Sequence, residues 1–224
     1  MPVNRQRRHF LLFSALFTLF CTVFAPAQIF AADKAVPAYR ILAFGDSLTA
    51  GYGLNVGEGF TEVLQAWLTT HMGKPVEVVN GGVSGDTSTG GRSRLDWALG
   101  GFKDGKPDLV ILELGANDGL RGVDPHITAG NIDAMVKTLT DRGIKVLVAG
   151  MKSPPNLGQD YADVFDPIYE TVAKKYGAML YPFFLDGVAA NPALNQADGL
   201  HPNPKGVKIV VGRIGPVVQA ALLR

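Results

Sequence analysis

The sequence predicts an α/β protein: a three-layer α/β/α sandwich built on a five-stranded parallel sheet. Three observations carry that prediction. Short apolar runs alternate along the chain with longer amphipathic stretches, as strand–helix–strand units do. The runs are apolar at nearly every position, which suits strands covered on both faces. A separable N-terminus leaves roughly 190 residues, ample for one hydrophobic core.

The strands are expected at residues 41–44 (ILAF), 76–79 (VEVV), 109–114 (LVILEL), 145–149 (KVLVA) and, more weakly patterned, 178–180 (AML). Their β-branched content and flanking Gly or Pro separate them from short helices. Helices are expected at 60–71, 88–99, 127–142, 161–176 and 204–223. Pro204 suits the first turn of the last helix, and Pro216 is expected to kink or interrupt it. Five strands and five helices in this order fit a doubly wound, flavodoxin-like arrangement. Such sheets place their chemistry at the carboxyl ends of the strands.

The N-terminus differs in kind. Arg5, Arg7 and Arg8 precede an apolar run from Phe10 to Ala25, followed by small residues. A basic segment, an apolar segment and a small-residue site form a secretory signal peptide over 1–31, cut after Ala31 or after Ala27. An uncleaved membrane anchor is the alternative, although the apolar run is short for a full span. Thr18, Leu19 and Phe20 before Cys21 do not form a lipid-attachment motif. The expected organisation is a leader followed by a single domain over 37–224, in a periplasmic or secreted protein.

The full chain carries 21 Lys and Arg against 20 Asp and Glu, a net charge of +1. Losing the leader leaves 18 basic against 20 acidic residues, a net of −2. Neither balance favours nucleic acid. Cys21 is the only cysteine, so the mature chain would have no disulfide, no thiol nucleophile and no thiolate metal site. With so few histidines, no zinc pattern is recognisable either. No cofactor and no metal are expected.

Polar loops follow the strands: GDSLTAGYG from Gly45, NGGVSGDTSTGG from Asn80, GANDGLRG from Gly115 and GMKSPPNLGQDY from Gly150. DGLHPN, from Asp198, precedes the last helix. A serine hydrolase needs a nucleophile, a base oriented by a third group, and donors aimed at the developing oxyanion. Ser47 sits at a strand-to-helix turn. Of the histidines beyond the leader, His71 ends a helix and His126 precedes one, both as surface residues do. His201 lies in a tight loop three residues after Asp198, so one turn can present both side chains. The backbone N–H groups of Ser47 and Gly85 and the Asn117 amide can supply the donors. Taken one at a time, each loop also reads as ordinary turn chemistry, and Ser47 as a helix cap. Together they supply every role. The segment Gly82–Asp86 lacks the last glycine of a G-x-S-x-G elbow, and no nucleotide-binding glycine pattern is present.

Gly45-Asp46-Ser47-Leu48, Asn117-Asp118 and Asp198-x-x-His201 resemble the signature of the SGNH (GDSL) hydrolase superfamily. The similarity extends over about Arg40 to Leu223 and is strongest to the bacterial acyl-CoA thioesterase I, lysophospholipase and arylesterase branch. The resemblance implies the SGNH hydrolase fold and a metal-free serine esterase acting on acyl or aryl esters and thioesters. It makes Ser47 the nucleophile, His201 the base and Asp198 its orienting acid, with Ser47, Gly85 and Asn117 forming the oxyanion hole. Asp46, Pro155, Asn156, Leu157 and Pro202 are expected to contact substrate, and the 152–161 loop to form a semi-rigid flap over the acyl group. The chain is expected to act as a monomer, touching membrane only through its leader or a lipid substrate. A carbohydrate-ester deacetylase, or an inactive scaffold kept as a binding protein, are the alternatives.

Overall fold

The computed structural model describes residues 39–224. The expected leader, both cleavage positions and the first two residues of the expected domain lie outside the described residues. Five strands form one sheet: β1 (Tyr39–Gly45), β2 (Val76–Gly82), β3 (Leu109–Glu113), β4 (Lys145–Ala149) and β5 (Met179–Tyr181). All neighbours are parallel, in the order β2-β1-β3-β4-β5. The flavodoxin-like expectation holds. Ile41 to Phe44 and Leu109 to Leu112 are buried throughout, which is why these runs showed no alternation.

Eight helices cover the described sheet: α1 (Ser47–Ala50), α2 (Phe60–Met72), α3 (Ser88–Leu99), α4 (Ala116–Leu120), α5 (Pro125–Asp141), α6 (Gln159–Phe165), α7 (Ile168–Tyr176) and α8 (Pro204–Leu223). Helices α2 and α8 pack together, and α3, α5 and α7 form a second group. Right-handed crossovers in this strand order put those groups on opposite faces of the sheet. A Cβ on Gly215 of α8 would press into the Trp67 ring of α2, so that glycine permits a close approach between the two helices.

Two expectations are corrected. The helix expected over 161–176 is two helices, because Pro167 has no N–H to continue the ladder. The Asp166 N–H closes α6 on Ala162, and the Pro167 carbonyl opens α7 to the Thr171 N–H. Of the kink or interruption expected at Pro216, the interruption does not occur, and α8 runs through it. Pro216 and Gly212, whose carbonyl loses its partner, both lie on the exposed side, where water can donate to that carbonyl. The short helices α1 and α4 escaped the sequence reading; neither is long enough to show a period.

Register positions the functional loops. Gly45 at the end of β1 stands level with Gly82 of β2 on one side and Glu113 of β3 on the other. The strand order reverses between β1 and β3, the switch point where open α/β sheets bind ligands. The loops opening α1 and α4 both leave from there.

Candidate active site

The turn after β1 is held by Asp46. Its carboxylate accepts the Leu48 N–H at 3.0 Å and caps α1. Ser47 is the first residue of the helix and not its cap, so its hydroxyl is free for other work. Asp46 is completely buried. The expectation that it touches substrate is therefore corrected: it lies behind the turn. Burial pushes its carboxyl up to about 6, against the pull of the Leu48 N–H and the Asn117 amide.

The Ser47 hydroxyl lies 2.8 Å from His201 Nε2, across 154 residues of sequence. His201 Nδ1 is 2.6 Å from Asp198 Oδ2. The other carboxylate oxygen, Oδ1, accepts the N–H groups of Leu200 at 2.9 Å and His201 at 3.0 Å. One short turn thus fixes both side chains. The His201 N–H and the other donors around Asp198 hold its carboxyl down to about 2, in spite of some desolvation. Asp198 is ionised at any ordinary pH and demands a proton on Nδ1, which leaves Nε2 free to accept from Ser47.

The DGLHPN loop is braced from two sides. Gln196 Nε2 donates to the Tyr52 carbonyl at 2.8 Å and the Pro202 carbonyl at 3.0 Å. The exposed Tyr52 ring lies 4.7 Å from the His201 ring, centroid to centroid. Asn203 caps α8, accepting from the Lys205 and Gly206 N–H groups. Neither Tyr52 nor Gln196 was anticipated from sequence; both act through long-range contacts that carry no local pattern.

Neither the Ser47 N–H nor the Gly85 N–H has an acceptor among the described residues. Gly85 has φ +84°, a conformation that favours glycine, and its carbonyl accepts from Arg121 at 2.8 Å. The Asn117 amide donates to Asp46 Oδ2 at 3.1 Å and to the Asp86 carbonyl at 3.0 Å. These contacts place it between the neighbours of Ser47 and Gly85. They also occupy both of its hydrogens, so donating to an oxyanion requires sharing or exchanging one. Asp118, fully buried, accepts from the Ser88 N–H, Ser88 hydroxyl and Thr128 hydroxyl and so holds α4 against α3 and α5. Arg94 pairs with Asp86 at 2.6 Å and donates to the Gly81 and Gly45 carbonyls, tying the ends of β1 and β2 together.

A small apolar pocket lies beside Ser47 and His201, lined by Leu48, Leu54, Phe60, Phe184, Pro202 and Val207 among others. Pro202 is thus brought to the site. Pro155, Asn156 and Leu157 form a short 3₁₀ turn and do not line that pocket. Their loop packs instead on α4 and the turn at its end: Pro154 lies against Gly119 and Leu157 against Gly122.

Residues 43–209 match the GDSL-like lipase/acylhydrolase family. The chain belongs to that family. Curated relatives of this GDSL hydrolase include an arylesterase of Vibrio mimicus, 40% identical over 74% of this chain and 81% of the relative. The esterase TesA of Pseudomonas aeruginosa is 42% identical over 74% of this chain and 80% of its own. Among solved structures, that of AlinE4, an SGNH-hydrolase family esterase, is 44% identical, covers 83% of this chain and 97% of its own, and superposes with a TM-score of 0.70. As a GDSL hydrolase, the protein is an ester hydrolase.

Proposed function

We propose that this GDSL hydrolase cleaves carboxylic esters and thioesters of acyl or aryl substrates through a Ser47–His201–Asp198 triad and an acyl-enzyme. The observation that carries the reading is the unbroken relay from Ser47 Oγ through the His201 ring to Asp198. Ser47 Oγ attacks the acyl carbonyl while His201 Nε2 takes its proton. The carbonyl electron pair moves onto oxygen, where the Ser47 and Gly85 N–H groups and the Asn117 amide stabilise it. Collapse expels the alcohol or thiol, which leaves with the proton from Nε2. Water then attacks the acyl-enzyme with His201 again as base, releasing the acid. Asp198 stays ionised throughout and orients the imidazole.

The leaving atom must be near Nε2 to receive its proton. The apolar residues beside His201 support an apolar substituent on that side of the substrate, in keeping with the arylesterase and esterase names of the relatives. Residues 37–224 form the catalytic domain in this reading, and residues 1–31 direct export, supported by their sequence pattern. The test is hydrolysis of p-nitrophenyl acetate and longer acyl esters by wild type and Ser47→Ala. Loss of hydrolysis in the alanine variant is expected; unchanged hydrolysis refutes the assignment.

A further inference from the structure

β3 is apolar except for one residue. Glu113 ends the strand with no exposed surface. Pairing sets it level with Gly45, so its carboxyl lies against the turn that presents Ser47. Oε2 accepts the Thr49 hydroxyl at 2.7 Å and, more weakly, the Asp46 N–H at 3.4 Å. Oε1 has no partner among the described residues. A Cβ on Gly45 would overlap both Glu113 Oε2 and Thr49 Oγ1. The glycine that opens GDSL is therefore what admits the acid.

No step of the proposed reaction uses Glu113. It makes no hydrogen bond to Ser47 or His201 and does not line the apolar pocket. A buried acid with one orphan oxygen costs stability, and a leucine there would not. Its contacts, however, all fall on the residues flanking the nucleophile.

We propose that Glu113 is a positioning residue for the nucleophile, gripping the Asp46–Thr49 turn from within the sheet so that Ser47 Oγ meets His201 Nε2. Burial and the Asp46 carboxylate beside it both push the Glu113 carboxyl well above the usual range. The other charged or titratable groups around this turn are Arg94 of α3, which donates to the Gly45 carbonyl, Tyr169 of α7, which donates to the Leu114 carbonyl, Asp118 of α4, and His201 and Asp86, which both act on Asp46. None of them makes an ion pair with Glu113. The inference rests on the reading of Ser47 as nucleophile.

The experiment compares Glu113→Gln, Glu113→Leu and Thr49→Val with wild type. It measures kcat and KM on p-nitrophenyl esters, the pH profile of kcat/KM, and the rate at which an organophosphonate labels Ser47; circular dichroism checks folding. Glu113→Leu is expected to lose about 10- to 100-fold in kcat and in labelling rate at unchanged KM, a split expected of an interaction needed only in the transition state. Thr49→Val should lose about 3- to 10-fold in the same way. Glu113→Gln, which keeps one acceptor and no charge, should recover kcat to within about threefold with its acid limb superimposed on that of wild type. Wild-type kcat in folded Glu113→Leu or in Thr49→Val overturns the inference, as does equal damage in Glu113→Gln and Glu113→Leu. If Glu113→Leu does not fold, Thr49→Val and Glu113→Gln decide alone. A wild type that neither hydrolyses esters nor is labelled at Ser47 sinks the catalytic reading itself. A labelled wild type with unaffected variants sinks only the role of Glu113.

Discussion

Replacing Asp46 by asparagine should change how stability depends on pH. Asp46 is completely buried, and burial lifts its carboxyl from the ordinary 3.8 to about 6. Between those values the folded protein holds a proton that the unfolded chain has released, so folding weakens as pH rises through this window. At about 1.4 kcal/mol per pH unit the total is about 3 kcal/mol, fully lost above pH ~7 and fully regained only below pH ~3. The Asp46→Asn variant would escape this decline. Its new side chain would keep an acceptor for the Leu48 N–H but turn an amide toward the Asn117 amide, where Asp46 now accepts at 3.1 Å. That lost hydrogen bond costs about 1 kcal/mol at every pH. The variant should therefore be about 0.5 kcal/mol less stable than wild type at pH 4 and about 2 kcal/mol more stable at pH 8. Urea denaturation from pH 4 to pH 8 reads both curves. Parallel curves, with no crossing, would show that Asp46 carries no burdened charge and would refute the reasoning.

Other outcomes follow from the same geometry. Asn117→Ala should lower kcat by about 10²- to 10³-fold, or about 2.7–4 kcal/mol, with little change in KM; a loss under threefold removes Asn117 from the oxyanion site. Tyr52→Ala removes an aromatic contact with His201 at 4.7 Å, worth about 0.5–1.5 kcal/mol, and should cost about 2- to 10-fold in kcat on a short ester. Gly158 holds φ +82° and ψ 172°, a region open essentially to glycine alone. Gly158→Ala should therefore disturb the 152–161 loop and reduce kcat/KM on long acyl esters more than on an acetate; equal losses would deny that loop any part in acyl recognition.

The sheet was legible because its strands are buried on both faces and read as unbroken apolar runs. The order of the elements then implied the topology through the handedness of crossovers. The pair Asp198 and His201 was legible because it occupies one turn. Asp46 was misplaced because a short polar residue beside a nucleophile looks the same in sequence whether it faces substrate or the core; only its burial as the cap of α1 tells them apart. The 161–176 helix was overextended because its apolar spacing runs smoothly across Asp166-Pro167. An acid inside a strand as apolar as 109–114 is itself a signal, because burying it asks for a reason. Gln196 and Tyr52 left no signal, since their partners depend on loops meeting in space.

In the proposed triad, the nucleophile and its base come from opposite ends of the described chain. Ser47 belongs to the first loop after β1, while His201 immediately precedes α8, the last element, whose packing on α2 and β4 seats it. While the polypeptide is being made, or threaded in an extended form, the hydroxyl exists for a long interval without anything to take its proton. Hydrolytic competence arrives only when the final helix docks. On that reading, a chain that lacks α8 has the hydroxyl but no partner to take its proton.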